Sequence, residues 1–98
     1  MVNEKLRKEL DELVEMMGLS EEEAPLLLDN SSYDNSIIGM TEDNRLVYDY
    51  ESMIEEFAEE NKCSLEEAQE WVDYNTMRAI PYFGNRAPIV ITHRFNKQ

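Results

Sequence analysis

The chain of 98 residues has a single cysteine, a single histidine and three scattered glycines. One cysteine cannot form a disulfide within the chain, which predicts a reducing, intracellular location. One cysteine and one histidine are too few for a structural zinc site, and the glycines form no phosphate-binding loop. No stretch has the apolar core of a signal peptide or the about 20 apolar residues of a membrane span. We therefore expect neither a cofactor nor catalysis.

Basic residues are also scarce. Nine lysines and arginines face 22 aspartates and glutamates, a net charge of −13. Such a charge disfavours direct binding to nucleic acid or to an anionic membrane. Every acidic residue lies at or before Asp73, and the four bases after it are Arg78, Arg86, Arg94 and Lys97. The sequence predicts an acidic body with a small basic end.

The N-terminal part is predicted to be a helical appendage, residues 1–30, in front of a compact domain, residues 31–98. An amphipathic helix over about 4–17 follows from the helical spacing of its apolar residues, with Asn3 as N-cap and Gly18 as the residue that ends it. Ser20 and Glu23 have the spacing of a capping box. The segment 29–36 is rich in turn-forming residues and predicts a loop or linker.

The remaining chain predicts an α+β fold of two layers. Short apolar segments at 36–40 and 45–50 favour a β-hairpin, in which Asn44 can take a positive φ and Gly39 marks either a bulge or a close packing contact. A helical hairpin follows: a helix over about 51–61, then a second one that starts at the Ser64–Glu67 capping box and ends by about Ala79. A turn at 82–86 leads to a last strand at 88–92. The long helical crossover allows this strand to pair in parallel with the hairpin, giving a three-stranded sheet packed on the helical hairpin.

The helical hairpin carries the first candidate surface. Its glutamates face away from the predicted apolar stripe and form an acidic face: Glu55, Glu56, Glu59, Glu60, Glu66, Glu67 and Glu70. One interpretation is a solvated face with no partner. The other is an interaction surface for a basic protein, whose sharpest form imitates the phosphate rows of a nucleic acid.

A second candidate is the corner formed by Asn75, Arg78 and Tyr82 where the last helix ends. In the structural interpretation, Arg78 bonds the terminal carbonyls of the helix, and Asn75 fixes the strand connection through side-chain to backbone bonds. In the functional one, Arg78 binds an anionic group between aromatic walls. The amphipathic N-terminal helix likewise has two interpretations, as an ordinary packed helix or as a face for self-association.

Part of the sequence resembles a family of short acidic proteins found in phages, prophages and other mobile elements of Gram-positive bacteria. The likeness covers about residues 33–92. It is carried by Ile37-Ile38-Gly39, by Arg45-Leu46-Val47-Tyr48-Asp49-Tyr50, by Glu67-Ala68-Gln69-Glu70-Trp71-Val72-Asp73-Tyr74-Asn75-Thr76-Met77-Arg78-Ala79-Ile80-Pro81-Tyr82 and by Ala87-Pro88-Ile89-Val90-Ile91. The resemblance implies a mobile-element context, in the cytoplasm of a bacterial host, but no mechanism, and no catalytic residue is carried over from it.

Three functional hypotheses follow. The first is a non-enzymatic accessory protein that binds a partner protein through the acidic face. The second is an assembly factor that self-associates through the N-terminal helix. The third is a small-ligand binder at the corner of Asn75, Arg78 and Tyr82.

Overall fold

A computed structural model describes residues 2–28 and 31–95 and confirms an α+β fold. Its helices are α1 (Glu4–Met17), α2 (Tyr50–Asn61) and α3 (Leu65–Trp71), with shorter 3-10 helices at Ser31–Ser36 and Ile80–Arg86 and a π-helix at Val72–Met77. Its strands are β1 (Ile37–Met40), β2 (Leu46–Asp49) and β3 (Ile89–Ile91).

The three strands form one mixed sheet in the order β1-β2-β3. β1 and β2 form the predicted antiparallel hairpin, and the register shifts between Ile37 and Gly39, which confirms the bulge. Asn44 has a φ of 63° in the connecting turn, as expected for a residue that tolerates the left-handed region. β3 pairs in parallel with β2, with Tyr48 opposite Val90. The helical crossover between β2 and β3 makes this parallel pairing possible.

The α2–α3 hairpin supplies much of the core. Met53, Phe57, Ala68 and Val72 are buried together against Leu46 and Tyr48 of the sheet. The turn between the helices is short because Lys62 adopts a left-handed conformation, with a φ of 53°. The predicted capping box is present, since Ser64 accepts from the Glu67 amide and Glu67 accepts from the Ser64 amide. Two orphan donors at the start of α3 are thereby satisfied.

The chain beyond α3 follows the predicted helical path as far as Ala79, but that path is not a regular α-helix. A π-helix occupies 72–77, and short 3-10 turns over Ile80–Arg86, interrupted at Gly84 with a φ of 80°, occupy the predicted turn at 82–86. Pro81 lies in the first of these 3-10 turns, where its missing amide hydrogen costs no helical bond. Two tertiary contacts accompany the wider turn of the π-helix. Val72 is buried in the core, and the Thr76 hydroxyl lies 2.8 Å from that of Tyr33.

The prediction of a loop or linker at 29–36 is wrong for its described residues. Residues 31–36 form a 3-10 helix packed on α2, and Tyr33, Asp34 and Ser36 are fully buried. Turn-forming residues also favour a 3-10 turn, and here tertiary contacts bury them. Residues 29 and 30 lie outside the described part of the chain.

The N-terminal helix has the predicted ends. Asn3 accepts from the Leu6 amide, and Gly18 has a φ of 67°. Contacts cross the predicted boundary after residue 30: Arg7 binds Asp34, and Leu28 lies in the core. The boundary itself falls next to residues outside the described ranges. Of the predicted Ser20–Glu23 box only one half forms: the Ser20 amide donates to the Glu23 carboxylate, whereas the Glu23 amide donates to the Ser20 carbonyl and not to its hydroxyl. Hydrogen bonds from Ser20 lower the pKa of Glu23.

Candidate interaction surface

The acidic face predicted from the sequence lies on the α2–α3 hairpin. Six of its seven members are exposed: Glu55, Glu59, Glu60, Glu66, Glu67 and Glu70. Between Arg45 and Arg78 the only basic residue in the sequence is Lys62. Carboxylates one helical turn apart, such as Glu55 and Glu59, are separated by about 6 Å of helix rise. The hairpin therefore concentrates negative charge with almost no neutralising charge of its own.

Glu56 has a different environment from the rest of the face. It accepts from the Ser36 hydroxyl at 2.5 Å and from the Asn35 amide at 3.3 Å, so it joins α2 to the 3-10 helix Ser31–Ser36. Burial raises the pKa of Glu56, and these two hydrogen bonds offset only part of the rise. The sequence placed Glu56 on the outer face by spacing alone, whereas the contact with residues 35 and 36 gives it a structural role.

An open groove, here called the α2–α3 groove, runs along one side of the acidic face. It has a volume of about 690 Å³ and is bounded by the start of α2, the start of α3 and the end of β3. Its apolar lining includes Tyr50, Ile54 and Leu65, and its carboxylates are Glu51, Glu55 and Glu66. His93 lies at the β3 end, with Nδ1 3.2 Å from Glu51 Oε1.

Two of these groove residues, Glu55 and Glu66, were predicted from the sequence as members of the acidic face, and the others were not. Leu65 directly follows the N-cap Ser64, one turn ahead of the first buried position of α3, Ala68, and 59% of its surface is exposed. This position in the first turn is the signal by which the sequence indicates its exposure. Glu51 and His93 are 42 residues apart, and only the parallel placement of β3 brings them together.

The second candidate, the corner after α3, is only partly assembled. The Arg78 guanidinium lies over the Tyr74 ring, 4.8 Å from its centroid, and both side chains are exposed. Asn75 donates to the Trp71 carbonyl at 3.0 Å, a side-chain to backbone bond within the helical segment. The shallow depression beside Arg78 is lined by Glu70, Asp73 and Tyr74 as well, and it includes neither Asn75 nor Tyr82. Tyr82 is 90% exposed.

The bases at the C-terminal end serve internal contacts. Arg86 donates to the carbonyls of Glu21 and Ala24 at 2.9 and 2.5 Å. Arg94 lies 3.8 Å from the buried carboxylate of Asp49. Lys97 is outside the described residues. Two of the four bases of this end therefore hold the fold together, and they do not cover the acidic hairpin.

Comparison with protein-family models, curated proteins and solved structures finds no significant match to this chain. Within residues 2–28 and 31–95, no three His, Cys, Asp or Glu side chains cluster as metal ligands would. In the same ranges, no helix has both the length and the apolar character needed to cross a bilayer.

Proposed function

We propose that this chain is a non-enzymatic accessory protein of a phage or other mobile element, which binds a basic partner protein through the acidic α2–α3 hairpin. The sequence resemblance over about residues 33–92 supports the mobile-element context. The partner class that fits best is a nucleic-acid-binding protein, since a surface that attracts phosphates also attracts dense carboxylates.

One observation carries the proposal: six exposed glutamates share a rigid helical hairpin whose only base is Lys62. A merely solubilising surface functions equally well with both signs of charge interspersed. A single-sign field instead accelerates encounter with a partner of opposite charge. The hairpin is anchored by the buried side chains of Met53, Phe57 and Ala68, so the backbone positions that carry the glutamates are fixed relative to one another.

Affinity capture from a Gram-positive host extract tests the proposal. The tagged protein is compared with the triple variant Glu55→Gln, Glu59→Gln, Glu66→Gln and with a matched control, Glu9→Gln, Glu12→Gln, Glu15→Gln. Both variants lose three exposed carboxylates, the first from the hairpin and the second from α1. We expect the hairpin variant to lose the captured basic protein and the α1 variant to retain it.

Salt and competitor complete the test. The Debye screening length shortens from about 10 Å at 0.1 M to about 3 Å at 1 M salt, so capture should weaken steeply as the salt concentration rises. Added duplex DNA should compete if the partner's basic groove is the contacted site. Capture that is insensitive to salt and unchanged in the hairpin variant would overturn the proposal.

Self-association through α1 is a second candidate, because its apolar residues are incompletely covered. No residue of α1 is fully buried, and Met16 and Met17 are 77% and 46% exposed. An assembly factor predicts an oligomer in light scattering that becomes monomeric in the double variant Met16→Lys, Met17→Lys and in a chain lacking residues 1–20. Lys8→Ala serves as a control on the same helix. A monomer at high concentration would exclude this function.

A further inference from the structure

We propose that the α2–α3 groove is the docking site for a basic amphipathic segment of the partner, one that presents aliphatic side chains flanked by lysines or arginines. This inference rests on the proposed function and adds the location of the contact and the chemistry of the segment. The acidic face as a whole predicts only that the partner is positively charged.

The apolar lining of the groove is the first argument. Leu65 is 59% exposed at the first position of α3, and it lines the groove together with Ile54 and the Tyr50 ring. Tyr50 is fixed in place because its hydroxyl donates to Asp73. Burying the exposed part of one leucine contributes about 1 kcal/mol. Burial of an aliphatic side chain of the partner in this groove would therefore contribute favourable free energy. A uniformly charged ligand has no such side chain and would not gain this free energy.

The charge of the rim is the second argument. In the part of the chain that the structure describes, no hydrogen bond or ion pair engages Glu55 or Glu66, and no lysine or arginine lines the groove. Glu51 at the β3 end faces His93. The groove thus joins an apolar centre to a carboxylate rim. This combination is complementary to cations flanking an aliphatic residue, and it repels acidic peptides and nucleic acid.

A helix is the natural carrier of such a pattern. Side chains at i, i+3, i+4 and i+7 line one face of a helix, so leucines there lie against the lining while lysines on either side reach the rim. The probe is therefore a fluorescein-labelled peptide of about 12 residues, or about 18 Å of helix, built from leucine, lysine and alanine. A second peptide of the same charge has serine in place of each leucine.

Fluorescence anisotropy with the full chain measures the binding of both peptides. We expect the leucine peptide to bind at least about fivefold more tightly than the serine peptide, the difference that about 1 kcal/mol produces. Leu65→Ala should remove most of that difference. Met16→Ala, at a still more exposed apolar position on α1, should leave it unchanged. The double variant Glu55→Gln, Glu66→Gln should weaken binding of the leucine peptide more than the matched double variant Glu59→Gln, Glu70→Gln does. The matched variant removes the same charge outside the groove.

Three results would overturn the groove proposal. Equal affinity of the two peptides, or equal weakening of binding by the two double variants, would mean that charge alone acts over the whole hairpin. Alternatively, light scattering that shows a dimer abolished by Leu65→Ala would assign the groove to a second copy of the chain. The first two results leave the proposed function standing, because that function fails only if capture of the native partner survives loss of the hairpin carboxylates.

Discussion

Arg7 and Asp34 form a two-pronged ion pair across 27 residues of sequence. Arg7 Nε lies 2.7 Å from Asp34 Oδ2, and Arg7 Nη2 lies 2.8 Å from Oδ1. The Asn3 amide donates to the same carboxylate at 2.8 Å, so the first turns of α1 enclose a side chain that is only 1% exposed. This contact attaches the amphipathic helix to the 3-10 helix Ser31–Ser36, and through it to α2.

Removing Arg7 should destabilise the fold strongly. In Arg7→Ala the Asp34 carboxylate stays buried without its main counter-charge, which costs about 3–5 kcal/mol in fully buried pairs. Because about a third of the Arg7 side chain is exposed, we expect a smaller loss of about 2–3 kcal/mol in the free energy of unfolding. Urea denaturation followed by circular dichroism measures it. Lys8→Ala, an exposed cation on the same helix, is the control and should change stability by less than about 0.5 kcal/mol.

The ionisation of Asp34 should also control how the free energy of unfolding falls at acidic pH. Burial alone raises the pKa of Asp34, but the hydrogen bonds from Arg7 and Asn3 outweigh it and bring the pKa below its usual 3.8. The stabilisation by this carboxylate is therefore complete above pH 3.8 and is lost as pH falls through the lower folded-state value. We expect Asp34→Asn to flatten the fall in unfolding free energy below pH 3.8, as measured by urea titrations at successive pH values. An unchanged slope would show that Asp34 does not titrate with unfolding.

The effect of Glu56 on stability should depend on pH in the opposite direction to that of Asp34. Burial raises its pKa above the usual 4.5, so the folded state holds this proton more tightly than the unfolded chain does. The ionised form destabilises the fold at neutral pH, and that cost disappears as pH falls through the raised value. In Glu56→Gln the gain on mild acidification should vanish. A steeper gain than that of the wild type would contradict the assignment.

Local signals in the sequence were sufficient for the elements that are defined by neighbours in the chain. Ser64 and Glu67 are three residues apart, Asn44 lies within a four-residue turn, and Gly18 ends the helix it follows; each was predicted and is present. The length of the helical crossover allowed a parallel pairing of the last strand with the hairpin, and the structure identifies β2 as its partner. These features depend on short-range chemistry or on chain connectivity.

Features that depend on distant partners were not predictable in this way. Asp34 looks like a turn residue until Arg7 is placed beside it, and Glu56 looks like part of a solvated face until Ser36 is placed against α2. The π-helix also has no signal in the sequence around it, since it accompanies the contact between Thr76 and the distant Tyr33. The groove likewise requires β3 to bring His93 to Glu51. Both surfaces chosen from the sequence remain candidates.

The contact between Tyr33 and Thr76 should be energetically coupled. Tyr33 is completely buried, and its hydroxyl lies 2.8 Å from that of Thr76 in the π-helix. Thr76→Val keeps the shape of the side chain but leaves the Tyr33 hydroxyl without this partner, at a cost of about 1–2 kcal/mol. In a double-mutant cycle with Tyr33→Phe, a coupling of about 1 kcal/mol in unfolding free energy is expected. Strictly additive losses would show that the hydrogen bond does not form.

Tyr48 should limit stability at high pH. It is 1% exposed, and its hydroxyl oxygen accepts from the Leu28 amide at 3.0 Å. Burial raises the pKa of Tyr48 from 10.0 to about 12, because a phenolate is poorly solvated in the core. The folded state keeps the proton while the unfolded chain releases it, so stability falls as pH rises from about 10 to about 12. The loss attributable to Tyr48 reaches about 2–3 kcal/mol at the upper end.

Comparison with Tyr48→Phe isolates this contribution. Burial raises the pKa of Tyr33 and Tyr50 as well, so the alkaline loss of the wild type has several sources. The phenylalanine variant starts from a lower stability, because the Leu28 amide loses its acceptor, but it should lose less on going from pH 9 to about pH 12. Urea titrations across that range give the difference, and ultraviolet absorbance of tyrosinate follows the ionisation directly. Parallel stability curves for the two proteins would mean that Tyr48 ionises in the folded state as easily as in the unfolded chain.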